Sequence, residues 1–242
     1  MNTFQYTQIG VVHSCFTEKF GVPRQSGLVS EASGVVVLFP PFDDAEAFRG
    51  IEGFSHIWLF WHFHALRGHG AWQATVRPPR LGGNRRIGVF ASRSPYRPNP
   101  VGLSAVRLTR VCKDAGGLSL HVGGLDLIDG TPILDIKPYL PYTDAIHATG
   151  GYASEAPSVR PVSFAATVEG RVEALQQNGY PGLKDLIVNI LGLDPRPAYK
   201  QDKGEYGMRL YDLDVLWIVG DSEFIVTDIR LPTHLRSAGN LR

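Results

Sequence analysis

The chain is poor in cysteine: Cys15 and Cys112 are its two thiols in 242 residues, and they lie far apart. That excludes a disulfide framework and a zinc site built on cysteine, and it suits a reducing compartment. Long apolar runs are missing too. The longest, from Ile57 to Phe63, contains His62 and falls well short of the ~20 residues of a membrane-spanning helix. No basic segment followed by an apolar one opens the sequence, so the expectation is a cytoplasmic protein with no membrane association. Also absent are G-x-G-x-x-G after a strand, G-x-x-x-x-G-K-[ST], G-x-S-x-G and H-E-x-x-H. Dinucleotide-binding, P-loop and nucleophile-elbow chemistry lose their usual sequence support.

One further absence is informative. Between Glu52 and Asp114 there is no acidic residue, while the same interval holds Arg67, Arg77, Arg80, Arg85, Arg86, Arg93, Arg97, Arg107 and Arg110. Net charge is only +1, so the basic field is local. It favours a polyanion or a phosphorylated ligand.

What is present reads as mainly β over the first ~150 residues. Strands are expected at 5–14, 34–39, 54–64, 72–77, 86–92 and 104–112, with a single helical turn at 45–49. The stretch "FSHIWLFWHFH" alternates, placing His56, Trp58, Phe60, His62 and His64 on one face and Ile57, Leu59, Trp61 and Phe63 on the other. Residues 118–136 read as strand, Gly123–Gly124 break, strand, Asp129–Gly130 turn and strand. Many short strands punctuated by Gly and Pro predict a small barrel or curled sheet. The expected division is a β-barrel domain at 1–145, a linker at 146–162 and a smaller α+β domain at 163–242. In the last, helices are expected at 167–178 and 182–192, and a hairpin of strands 208–220 and 223–231.

The candidate site residues cluster in proline-rich segments. In "RSPYRPNPVGLS" (93–104), Pro95, Pro98 and Pro100 fix φ, remove amide donors and push their predecessors out of the α region. A stiff loop results, and it sets the directions of Arg93, Tyr96, Arg97 and Asn99 in advance, at little entropic cost when a ligand arrives. "FGVPRQSG" (20–27) repeats the design around Arg24 and Gln25, whose guanidinium and amide suit a carboxylate or a base edge. Asp126 and Asp135 fall on expected strands, where a carboxylate wants a partner, and Lys137 is at hand. Asp129 reads as the Asp of an Asp–Gly turn. His56, His62 and His64 share a face, but no carboxylate or Cys completes a metal-ligand spacing, so no metal is expected.

Taken together, "EKFGVPRQSGL", "EGFSHIWLFW", "RPPRLGGN", "GVFASRSPYRPNPVGLS" and "LDLIDGTPILDIKPYLPY", followed by "DPRPAYK", resemble the TrmO family, also called YaeB or TsaA-like. The resemblance covers nearly the whole chain. It implies S-adenosylmethionine-dependent N6-methylation of a tRNA adenosine just 3′ of the anticodon, on a base that already carries a threonylcarbamoyl group. It also implies a β-barrel catalytic domain in place of a Rossmann sheet, a small C-terminal domain, and a homodimer with the cofactor near the subunit interface. Cofactor contacts would fall to Pro23, Arg24, Gln25, His64, Arg93, Leu103, Asp126, Leu127 and Ile128. For the chemistry, the expectation is Asn99 as acceptor for the N6 proton, with Asp135 or Tyr139 as its sink and Lys137 beside them. Arg77, Arg80, Arg85, Arg86 and Arg97 would form the phosphate footprint, joined by Arg196, Tyr199 and Lys200 from the C-terminal domain. DNA is not an expected partner. The alternative is a barrel that binds tRNA without catalysis.

Overall fold

The structure is a computed structural model that describes residues 2–65, 72–81, 83–196 and 204–231. Six antiparallel strands close into a barrel in the order β1-β2-β7-β6-β3-β8: β1 (Gly10–Ser14), β2 (Ser33–Leu38), β3 (His56–His62), β6 (Val101–Asp114), β7 (Gly117–Gly123) and β8 (Thr131–Pro138). Pairing of β8 with β1 completes the circuit, so no row of backbone donors is left at an edge. The expected strands at 72–77 and 86–92 shrink to a two-stranded ribbon, β4 (Thr75–Val76) and β5 (Ile87–Gly88). A short 3-10 turn at Val89–Ala91 follows it.

The alternation of β3 holds in three dimensions. Ile57, Leu59 and Trp61 are buried inside the barrel, whereas His56, Trp58, Phe60 and His62 look outward. Val12, Val36, Val106, Leu118, Leu120, Leu125 and Ile133 complete the inner packing. Gly102 faces Trp61 across the β3–β6 ladder. A Cβ at Gly102 would lie 2.3 Å from indole carbons, so the glycine is what lets the bulky ring sit flat inside the barrel.

The C-terminal unit has a four-stranded sheet in the order β10-β11-β12-β9: β9 (Val162–Phe164), β10 (Glu205–Leu210), β11 (Leu213–Val219) and β12 (Phe224–Arg230). β9 begins at Val162, the last residue of the expected linker, and runs parallel to β12. The preceding stretch holds α1 (Pro141–Asp144) and a 3-10 turn. Helices α2 (Ala166–Gln177) and α3 (Leu183–Gly192) match expectation and pack on the sheet through Val168, Val172, Leu186, Ile187 and Ile190. The single strand expected at 208–220 is instead two. Tyr211 takes φ +55° and turns the chain, and its amide donates to the Cys15 carbonyl at 2.7 Å.

That bond belongs to a larger seam. Residues 15–32, between β1 and β2, leave the barrel, and Cys15, Phe16, Val29 and Ala32 are buried in the C-terminal core beside Trp217, Phe224 and Leu213. Burial pushes the Cys15 thiol up to about 12, which keeps it protonated and unreactive.

Gly102→Ala is expected to lower stability by roughly 1–3 kcal/mol through overpacking against Trp61. A lowered urea midpoint at unchanged slope checks this; an unchanged midpoint would contradict the packing described.

Candidate functional site

A cavity of about 340 Å³ opens at one end of the barrel, a size that suits a small-molecule ligand. Four segments build it: the end of β3 and its extension (Trp61, Phe63, His64, Ala65), the β7–β8 connection (Asp126, Leu127, Ile128, Thr131), the excursion between β1 and β2 (Lys19, Val22) and the proline loop (Pro95, Tyr96). Most of this lining is apolar or aromatic.

Residues 124–130 are not the expected strand. Gly124 takes φ +75°, and the segment bonds to the excursion and β1 in place of a ladder. Leu125 N donates to Ala32 O at 2.9 Å, Asp129 N to Phe16 O at 2.8 Å and Gly130 N to Val12 O at 2.8 Å. Ser14 Oγ donates to Leu127 O at 2.7 Å. Asp129 does serve the turn: its Oδ1 accepts from Ser14 N at 3.0 Å. Together these bonds point Asp126 into the cavity.

Asp126 ends a buried polar chain. Trp61 Nε1 donates to Ser104 Oγ at 3.0 Å, and Ser104 Oγ donates to Asp126 Oδ1 at 2.7 Å. Ser104 is fully buried. Burial raises the Asp126 carboxyl to about 6, against the opposing pull of the Ser104 hydroxyl, the amides of Asp126 and Ser26, and the charge of Arg93. The carboxylate is therefore mostly ionised at neutral pH with no ion-paired cation among the described residues. Such a group can receive a ligand's hydroxyls or positive charge. His64 is shifted the other way, downward, by burial and by His62 and Lys19, so its imidazole is neutral at pH 7.

The structure brings some predicted cofactor residues together and separates others. His64, Asp126, Leu127 and Ile128 line the cavity. Arg93 Nη1 donates to Gln25 Oε1, and Gln25 Nε2 to the Arg24 carbonyl, joining the two proline-rich segments. Pro23 and Arg24 line a neighbouring recess of about 90 Å³ against Pro157, Ile190, Leu193 and Asp194. Arg24 Nη2 reaches the Arg196 carbonyl at 3.4 Å. Leu103 is not in the cavity: it lies on the outer face of β6 opposite Phe60, 47% exposed.

The catalytic candidates Asp135, Lys137 and Tyr139 also lie on that outer face. Asp135 pairs with Phe60 and Lys137 with Trp58 across the β3–β8 ladder. Lys137 Nζ sits 2.8 Å from Asp135 Oδ2, and the Tyr139 ring lies 5.5 Å from that of Trp58. Asn99 is exposed in the proline loop, its carbonyl accepting from Val101 N at 2.8 Å. Within one chain, Asp135, Lys137 and Tyr139 lie on the opposite side of β3 from the cavity.

Arg77, Arg85 and Arg86 are exposed on the β4–β5 ribbon and its connection. Two of the basic candidates make internal contacts. Arg97 Nη1 donates to Val89 O at 3.0 Å and Ser92 O at 2.7 Å, so that nitrogen braces the loop. Arg196 is 7% exposed, forked onto Asp194 through Nε and Nη2, both at 2.8 Å, and lies over Tyr206 and Phe224. Buried this way, it braces the C-terminal core and presents little surface to RNA. The side chain of Arg80, and residues Tyr199, Lys200 and Arg67, lie outside the described residues. Sequence reasoning missed Ser104, Lys19 and Thr131. Nothing in their local sequence marks them, because tertiary pairing gives them their roles.

The fold and cavity define a ligand-binding β-barrel with a small α+β unit attached. Residues 11–145 match the family model described as the tRNA-methyltransferase O N-terminal domain, and residues 157–232 match the TrmO C-terminal domain. The chain belongs to the TrmO family. It is 48% identical over 233 residues to the tRNA (adenine(37)-N6)-methyltransferase of Escherichia coli strain K12, covering 93% of this chain and 97% of that one. A Pseudomonas aeruginosa relative, 47% identical over 89% of this chain and 92% of its own length, is named "Putative S-adenosylmethionine-dependent methyltransferase RcsF". A crystal structure of TrmO from Pseudomonas aeruginosa superposes with a TM-score of 0.80 at 37% identity, covering 96% of this chain and 99% of that one.

Because the folded Asp126 carboxyl titrates near 6 and an unfolded one near ~3.9, the native state holds the extra proton between these values. Its contribution to stability therefore falls as pH rises from about 4 to 6, then stays level. Asp126→Asn is expected to flatten that part of the profile, measured by urea unfolding across pH. An identical slope in the variant would place the titration elsewhere.

Proposed function

We propose that this chain transfers a methyl group from S-adenosylmethionine to N6 of the tRNA adenosine just 3′ of the anticodon, on a base already carrying threonylcarbamoyl. The observation that carries the reading is the buried Asp126 carboxylate at an aromatic-walled cavity, in a chain nearly half identical to a tRNA (adenine(37)-N6)-methyltransferase.

The residues fit the cofactor. Asp126, steered by Ser104, suits ribose hydroxyls or the methionine ammonium, and Lys19 suits the carboxylate. Leu127 and Ile128 offer apolar contact to an adenine, while Trp61, Phe63 and Tyr96 present aromatic faces to an onium centre. A neutral His64 adds no repulsive charge. The cofactor, when bound, supplies an electrophilic sulfonium methyl, and the protein's task is alignment with the nucleophile. The Gln25–Arg93 bond closes one side of the site.

The target nitrogen has its lone pair drawn into the purine and the carbamoyl carbonyl, and it carries one proton. The Asn99 side-chain carbonyl accepts a hydrogen bond from that N–H, and Asp135, with Lys137 and Tyr139 beside it, receives the proton. Since Asp135 lies outside the barrel wall in its own chain, we infer a homodimer in which each cavity is completed by the partner's β8 face. Exposed Val101 and Leu103, together with Trp58 and Phe60 on the same face, support this. Arg77, Arg85 and Arg86 hold phosphates of the anticodon arm, where an unpaired base is reached without opening a duplex. The C-terminal unit also supports the cofactor loop, through Asn189 Nδ2 to Glu31 at 2.7 Å and the Arg209 amide to Glu18 at 3.0 Å. A cytoplasmic setting follows from a tRNA substrate.

Purified protein given S-adenosylmethionine and threonylcarbamoylated tRNA is expected to add one methyl, read by mass spectrometry of the digested nucleosides. RNA binding without cofactor binding in calorimetry would instead favour a non-catalytic role.

Asp126→Asn and Asp135→Asn are each expected to be inactive. Co-refolded mixtures should recover about a quarter of wild-type activity, since half the dimers hold one intact composite site. No recovery would mean that each site is built from a single chain.

A further inference from the structure

Phe90 is an anomaly that the cofactor site does not absorb. It sits on the 3-10 turn after β5, and 70% of its surface faces water. A scattered exposed apolar residue is ordinary, but this ring is held. The Arg97 guanidinium lies 5.3 Å from its centroid and is itself pinned by its bonds to the Val89 and Ser92 carbonyls. Further bonds stiffen the turn: Ser92 Oγ donates to Val89 O at 2.8 Å and Ser94 N to Ser92 Oγ at 3.2 Å. Phe90 is thus a rigid ring with a cationic plane alongside and most of its surface in solvent.

Its position gives this arrangement a use. Val89 N donates to Ala74 O at 3.0 Å, and Gln73 N to Tyr96 O at 3.1 Å, which brings the backbones beside Trp72, Phe90 and Tyr96 into one region. Trp72 is 51% exposed and Tyr96 38%. Tyr96 also lines the cavity, and the exposed Arg85 and Arg86 lead directly into β5. The region lies wholly inside the interval that lacks acidic residues. Rings interleaved with arginines are how proteins hold single-stranded nucleic acid: charge tracks phosphates while aromatic faces take bases.

We propose that Phe90, with Arg97 alongside, is a stacking platform for an unpaired anticodon-loop base flanking the target adenosine. The proposal rests on the tRNA reading above and adds a recognition element to it. Stacking holds the flanking nucleotide so that the target can turn into the cavity, and it is tolerant of base identity because every base has a π-face.

The test uses an anticodon stem-loop RNA with 2-aminopurine placed on either side of the target. Wild-type protein should change the fluorescence at one flanking position. Phe90→Ala should abolish that change and weaken RNA binding about tenfold, with the slope of log Kd against log salt and the affinity for S-adenosylmethionine unchanged. Phe90→Trp should restore both signals, whereas Arg85→Ala should lower the salt slope by about one. If wild type methylates tRNA yet Phe90→Ala binds and reports like wild type, the platform is refuted and the methyltransferase reading stands. The platform is also refuted if Phe90→Ala converts dimer to monomer in sedimentation, since the ring would then be an interface residue. If wild type neither binds nor methylates tRNA, the underlying reading fails as well.

Discussion

Residues 15–32 connect two neighbouring barrel strands, yet their apolar side chains are buried in the other core. Phe16 and Val29 have no place inside the barrel, and the C-terminal sheet with α3 supplies the surface they need. Removing such side chains from water stabilises by roughly 1.5–3 kcal/mol each. That burial anchors an excursion which otherwise has no ladder of its own. The excursion then supplies carbonyls to the amides of Leu125 and Asp129, and so fixes the connection carrying Asp126. Packing in one unit thereby sets the geometry of a carboxylate in the other. Residues 145–161 separate α1 from β9 in sequence, but hydrophobic packing joins the two units.

The Asp126 site runs against stability. Placing a carboxyl where burial raises it to about 6 means that ionising it at neutral pH costs folding free energy. The chain supports the carboxylate with neutral donors, one serine hydroxyl and two amides. A cation in direct contact would lower the cost further but would compete with a positively charged ligand for the same oxygens. Arg93 lies near enough to act through its charge while its Nη1 is occupied by Gln25. Electrostatic support at a distance, with hydroxyl support in contact, leaves the Asp126 carboxylate without a cation in direct contact.

How much of this was legible in the sequence follows from which interactions are local. β3 could be read because alternation depends only on neighbouring residues, and the faces of Ile57, Leu59 and Trp61 came out as expected. The helices α2 and α3 were readable for the same reason. The stretch 124–130 looked like a strand because Leu125, Leu127 and Ile128 are apolar. Its partners are the distant carbonyls of Phe16 and Ala32, which no local pattern announces. Tyr211 broke an apparent strand because it adopts a left-handed conformation usually left to glycine. Arg196 read as a tRNA contact among prolines; its burial depends on the rings of Tyr206 and Phe224 from strands later in the chain. Among site residues, the proline-flanked Arg93 and Gln25 were found by type and do meet, whereas Leu103, Asp135 and Lys137 were grouped with them and stand across a barrel wall.

That separation follows from strand geometry. Side chains at successive positions of β3 must point to opposite faces, so the strand that gives Trp61 to the cavity gives Trp58 and Phe60 to the outside. Asp135 and Lys137 share this outer face through the β8 ladder. No rotamer carries them through the wall to Asp126. If both sets of residues take part in one reaction, the second set has to come from another molecule, and a two-fold pairing supplies it twice with a single kind of contact. The exposed apolar area on β6 and β3 is the surface such a pairing would cover. On that reading, the same alternation that makes a stable barrel would divide the chemistry between its two sides, and association would bring the halves together.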